Sequence, residues 1–206
     1  MRKIIVILIT MSCLYGVNTY AADRVSRNHS FDLEDINEIE INNSVGSIEL
    51  RLVEGDELRI EVEIEGEDRA FFRRRVDVDD VDVEIRTRGD KLILTIDNDD
   101  VKADWTIEMP VVSAIEINMG VGEIDVEIGA SRLDIDLGIG KVDVTAPLAT
   151  VAAVEISAGV GDTRIRGTDS VENSRVIVSS ESEVMGEGDF SISAEVGVGE
   201  ISIELD

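Results

Sequence analysis

The sequence predicts an all-β protein of β-solenoid-like build, a single-stranded β-helix or strand ladder with coils of about 19 residues and Gly-x-Gly corners. Three observations carry this reading. Apolar and acidic residues alternate with period two through most of the chain, as in "RIEVEIE", "VDVEIR", "LILTID" and "LDIDL". That is the pattern of strands with one buried face. A strand–Gly-x-Gly–strand phrase then recurs, as "IEINMGVGEIDVEI" and again as "LDIDLGIGKVDV". The middle residues of the phrase fall at 45, 121, 139, 160 and 198, with separations of 76, 18, 21 and 38 that approximate four, one, one and two units.

In chain order, the first element is not part of the fold. Arg2 and Lys3 precede an apolar run from Ile4 to Leu14, and a polar stretch then ends in Ala21-Ala22. Residues 1–21 read as a secretory signal peptide cleaved after Ala21, because the apolar run is too short to span a bilayer. This reading displaces a retained membrane anchor and a lipid attachment at Cys13. Loss of Arg2 and Lys3 takes the formal net charge from −26 to −28. Cys13, Tyr15 and Tyr20 leave with the signal, so the remaining chain has neither cysteine nor tyrosine. Such a chain relies on burial and strand pairing rather than disulfides. The expected location is periplasmic or secreted.

Residues 22–35 read as a loose lead-in, and 36–206 as a single strand-repeat domain. The domain is less regular at 66–110, where "FFRRR" and "DNDDVKADW" suggest hairpins and loops, and at 167–189, a degenerate coil with a surface loop. Within each clear copy the apolar phase shifts. Ile115, Ile117, Met119 and Val121 are on odd numbers, whereas Ile124, Val126 and Ile128 are on even ones. The residue between the glycines is read as inward-facing, with the next inward residue three positions on. A step of three reverses the faces of a strand, so the chain must bend or bulge there. Glycine allows this because it reaches positive φ without a Cβ clash. Gly46, Gly120, Gly122, Gly138, Gly140, Gly159, Gly161, Gly197 and Gly199 are therefore expected to be structural corners. They are not phosphate loops: no Gly-Lys-Ser/Thr and no third glycine follows, and each pair runs into another strand.

Two stretches resemble a known family. "INEIEINNSVGSIELRLVEGDELRIEVEIEGE" is similar to the opening of the bacterial putative-adhesin, or toastrack-like, β-strand-repeat proteins. "WTIEMPVVSAIEINMGVGEIDVEI" resembles their serial strand units. The resemblance covers roughly residues 36–206. It implies an extracytoplasmic strand-repeat domain, associated with envelope stress or attachment, and supplies no catalytic residues.

Candidate sites are sparse. A calcium-binding β-roll would repeat an acid at a fixed offset, but three residues beyond the second glycine lie Asp125, Asp143, Arg164 and Ser202. The densest carboxylates, "DVDDVDVE" at 77–84 and "DNDD" at 97–100, read as solvated strand faces and loop tips. No metal or other cofactor is expected. Arg73, Arg74 and Arg75 form the one basic run and are the candidate partner-binding residues, although they also suit balancing nearby carboxylates. Trp105 alternates with Ile107 and Met109 and reads as packed.

The excluded classes follow from composition. The acidity opposes nucleic acid, whose binding needs Lys and Arg, and opposes anionic membrane surfaces. His29 is the only histidine, so a Ser-His-Asp triad would depend on it entirely. No transmembrane segment follows the signal, and the closing "EISIELD" lacks the terminal aromatic of an outer-membrane strand. Glu200, Glu204 and Asp206 on the last strand are expected to blunt it as a sheet edge, which favours a monomer. The sequence thus reads as a non-enzymatic interaction or structural module of the bacterial envelope, whose partner is an envelope protein or a surface glycan. A polysaccharide-active β-helix enzyme using paired carboxylates, or a passive cation-binding scaffold, are the alternatives.

Overall fold

A computed structural model describes residues 24–66, 77–168, 172–176 and 179–206. Its strands are β1 (Arg24–Asp32), β2 (Glu38–Leu52), β3 (Glu57–Gly66), β4 (Glu84–Arg88), β5 (Lys91–Ile96) and β6 (Val101–Met109), then β7 (Ala114–Glu127), β8 (Arg132–Ala146), β9 (Val151–Arg166), β10 (Glu172–Val176), β11 (Ser179–Met185) and β12 (Phe190–Leu205). The protein is all-β, and the strands join one open 12-stranded sheet. Among the described residues no helix is long and apolar enough to cross a membrane.

The centre of the sheet is a parallel stack in the order β2-β7-β8-β12-β9. Equivalent residues of the repeated phrase face one another in register, so one row of core residues runs Ile39, Ile115, Leu133, Ile192, Val154. A second row, beyond the glycines, runs Leu50, Val126, Val144, Ile203, Ile165. All of these are buried. Each such side chain removed from water stabilises the fold by roughly 1.5–3 kcal/mol. The alternating sequence thus forms strands because every second residue has an aliphatic neighbour above and below it.

The two ends differ from the stack. The first half of β2 pairs with β5 and the second half with β6, so those two strands together replace one rung. Residues 97–100 lie between them, where the other rungs continue as strand through their glycines. Beyond this rung the halves separate: β5 pairs antiparallel with β4, while β6 leads antiparallel to β3 and then β1. At the other end β9 pairs antiparallel with β11, and β11 with β10. Over the described residues 77–110, the irregularity expected at 66–110 is a hairpin and a split rung.

Three expectations need correction, and the order of the rungs is a further finding. Residues 24–32 are not loose; they form β1 along β3, with Val25, Arg27, His29 and Phe31 half-buried on one face. The alternation there was masked by the polar pair Arg27 and His29. The residue between the glycines does not face inward: Val121, Ile139, Val160 and Val198 are exposed. Burial passes from Met119 directly to Ile124, so the pleat breaks over four residues and the middle aliphatic falls outside. The rungs do not stack in chain order, because β12 lies between β8 and β9. Its inward set of Ile192, Ala194, Val196, Ile201, Ile203 and Leu205 is apolar throughout, whereas β9 places Thr163 in that row. The more apolar rung takes the position paired along its length on both sides, whereas β11 pairs with β9 only at residues 153–158, short of Thr163. Glu200 and Glu204 therefore lie on an interior strand, Asp206 directly follows it, and none of the three blunts an edge.

Candidate functional site

Among the described residues, a cleft of about 680 Å³ lies where the split rung meets the stack. Its walls are polar. Asn42 of β2 and Asn118 of β7 occupy matching outward positions, and the Asn118 Nδ2 donates to the Asn42 Oδ1 at 3.2 Å. Asp97 and Asp99, from the four-residue excursion after β5, face them, and Asp136 of β8 extends the row. Ser44 Oγ donates to Asp97 at 3.3 Å, tying the excursion to the strand.

Asn43 explains why the rung can open here. It stands where the next rungs carry Met119 and Leu137, inside the core. Its Nδ2 donates to the Ala103 carbonyl at 3.1 Å, which stabilises the start of β6 after the excursion. Its Oδ1 is buried and without a hydrogen-bond partner. Such an atom costs roughly 1–3 kcal/mol, a strain located in the floor of the cleft.

Beside the cleft, Lys91 of β5 bridges two carboxylates, with Nζ 2.7 Å from Glu40 and 2.8 Å from Glu116. Hydrogen bonds to Glu116 and then Glu40 raise the Lys91 pKa. Those from Lys91 and Asn42 hold Glu40 below its ordinary value. The arrangement can hold hydroxyls, amides or cationic groups through fixed acceptors and amide donors. Among the described residues no group of three or more His, Cys, Asp or Glu is placed to hold a metal ion.

Residues 20–166 match the family described as the N-terminal domain of toast_rack (DUF2154). The chain belongs to this family. A similar fold is seen in a solved structure, a putative cell adhesion protein from Clostridium sporogenes, at 12% identity and a TM-score of 0.51. That similarity covers 89% of this chain and 100% of the other. A putative adhesin from Bacteroides fragilis is similar over 89% of this chain and 98% of its own, with 13% identity and a TM-score of 0.28. No curated protein sequence matches the chain. The family match ends at Arg166, so β10, β11 and the inserted β12 lie beyond it.

In this toastrack chain the sequence-predicted residues disperse. Arg73, Arg74 and Arg75 lie outside the described residues. His29 sits on β1 with Nε2 3.0 Å from the Asp82 carboxylate and its ring stacked near Phe31. Arg27 also approaches Asp82, at 3.9 Å. Trp105 is buried in the core on β6, and its indole N–H has no partner. The carboxylates of 77–84 are spread over a short turn, where Asp77 accepts from the Asp79 backbone N–H. "DNDD" does contribute to the cleft. The Asn42–Asn118 pair was missed; its signal was the same residue type at the same offset before the middle valine of two copies.

Proposed function

We propose that the protein is an exported, non-enzymatic interaction module of the bacterial envelope, adhesin-like in its role. The observation that carries this reading is the open polar cleft on the parallel stack, which offers acceptors and amide donors to a partner. Membership of the toastrack family agrees with it, as does the likeness to a protein described as a putative cell adhesion protein.

The proposal includes export through a signal peptide at residues 1–21 and a strand-repeat domain over 36–206, extended by β1. It treats the domain as a solenoid of coils of about 19 residues, with Gly46 and the glycine pairs at 120/122, 138/140, 159/161 and 197/199 as its corners. Arg73, Arg74 and Arg75 are assigned to partner contact, because they are the one basic run in a strongly acidic chain.

Crosslinking of the tagged protein in cells tests the module and the assignment together. One dominant envelope partner, lost when the three arginines are reversed in charge, is the expected result. A partner retained in that variant would move the contact elsewhere, and an empty capture would sink the module reading.

A further inference from the structure

The exposed valines and isoleucine of the glycine crossings form one continuous feature. Val45, Val121, Ile139, Val198 and Val160 are consecutive in register across five rungs. Of the seven large hydrophobic residues exposed among the described residues, four are on this line: Val121 at 44%, Ile139 at 52%, Val198 at 45% and Val160 at 48%. Val45 is half-buried and borders the cleft. Scattered exposed aliphatics are ordinary, but a contiguous row marks a contact surface. The fold does not require this row, since the side chains point away from the core.

Glycines flank the row on both sides. Gly120, Gly138, Gly197 and Gly159 precede the aliphatics, and Gly122, Gly140, Gly199 and Gly161 follow them. The aliphatics therefore stand as a ridge between two furrows free of side chains. With strands about 4.8 Å apart, five rungs give a ridge of roughly 19 Å. Its rims are acidic. Asp136 and Glu195 lie on one side, and Glu123, Glu200 and Asp162 on the other. The single base among these positions, Lys141, is already ion-paired with Asp143.

We propose that this ridge is the docking surface for a cationic amphipathic helix of a partner protein. Charge decides among the possible occupants. A second copy would bring acidic rims together, and an anionic membrane surface would be repelled. A helix with an apolar stripe bordered by Lys and Arg satisfies both ridge and rims. Its pitch of about 5.4 Å is close to the rung spacing, so about 13 residues cover the ridge. This inference rests on the interaction-module reading and adds to it a face and a partner chemistry.

The probe is a 14-residue helical peptide of lysine with leucine along one face. Its control has each leucine replaced by alanine, which keeps charge and helicity. Binding to the purified protein is measured by fluorescence anisotropy at 0.15 M salt. The triple variant Val121→Ser, Ile139→Ser, Val198→Ser should bind the leucine peptide at least tenfold more weakly than the unaltered protein. It should bind the alanine peptide equally. Val111→Ser, which removes an exposed valine elsewhere, should change neither. Equal binding of the leucine peptide by the triple variant overturns the proposal, as does a failure of the unaltered protein to distinguish the peptides. In-cell crosslinking through the same variant separates the two readings. Capture that survives the triple substitution refutes the ridge and spares the module. Peptide discrimination with nothing captured sinks the envelope module and supports the ridge chemistry.

Discussion

Substitution of Gly140 by alanine tests the tightest geometry in the stack. Gly140 has φ of +148°, in the range that disfavours an L side chain. Its row includes Gly122 at +149°, Gly199 at +153° and Gly161 at +147°, all in register. A Cβ at Gly140 would fall on the carbonyl oxygen of Gly122, and within 2.8 Å of that carbonyl carbon. The obstacle is backbone, so no rotamer change relieves it. Backbone strain contributes about 1–3 kcal/mol, and pushing the rungs apart breaks one or two ladder hydrogen bonds at roughly 1 kcal/mol each. The expected loss is about 2–5 kcal/mol, a large fraction of a typical stability of about 5–15 kcal/mol. Gly55 is the internal control: its φ is +128°, but a Cβ there meets nothing within 4 Å. Gly55→Ala should lose only the strain, about 1–3 kcal/mol, without the added cost of parting the rungs. Urea unfolding of both variants gives the comparison. If Gly140→Ala is no less stable than Gly55→Ala, the close approach of the rungs is wrong.

Three further outcomes follow from the same structure. Ile135→Ala, in the buried row, should cost about 2–5 kcal/mol, whereas Ile139→Ser, four residues away and outside, should stay within about 0.5 kcal/mol; chemical denaturation separates them. Lys91→Met should cost about 1 kcal/mol near neutral pH. Glu40, held below its ordinary 4.5, contributes stability that is present above that value and lost as pH falls through its folded pKa. Lys91, raised above 10.5, contributes stability present below that value and lost as pH rises through its folded pKa. The gap between wild type and variant should therefore close at both ends of a pH series of melts, and a constant gap would contradict the pairing. Trp105, the only tryptophan and 1% exposed with an unpaired indole N–H, should emit in the blue and resist iodide quenching; ready quenching would contradict its burial.

The strands and their buried face were legible in the sequence because period-two alternation reports burial directly. The change of parity between Met119 and Ile124 was legible too. What it meant for Val121 was not: extending the odd phase by one residue gives the same sequence pattern as an outward aliphatic. Rung order was hidden for a related reason. β7, β8, β9 and β12 carry nearly interchangeable phrases, so each fits beside any other, and only the apolar quality of the inward rows distinguishes them. β1 was missed because Arg27 and His29 occupy its half-buried face. Of the cleft, "DNDD" was noticed as a charge cluster, but its apposition to Asn42 and Asn118 depends on pairing across 53 and 76 positions of sequence.

The place of β12 bears on how the molecule comes into being. It is the last strand in chain order, yet it separates β8 from β9 and pairs with both along most of their lengths. Until it arrives, those two strands share no ladder and each presents a bare row of amides and carbonyls. Closure by insertion joins segments far apart in sequence, which makes folding slow relative to a helical chain of this size. β12 is thus the one link between the β2-β7-β8 and β9-β11-β10 parts of the ladder, so the sheet is continuous only with that strand in place.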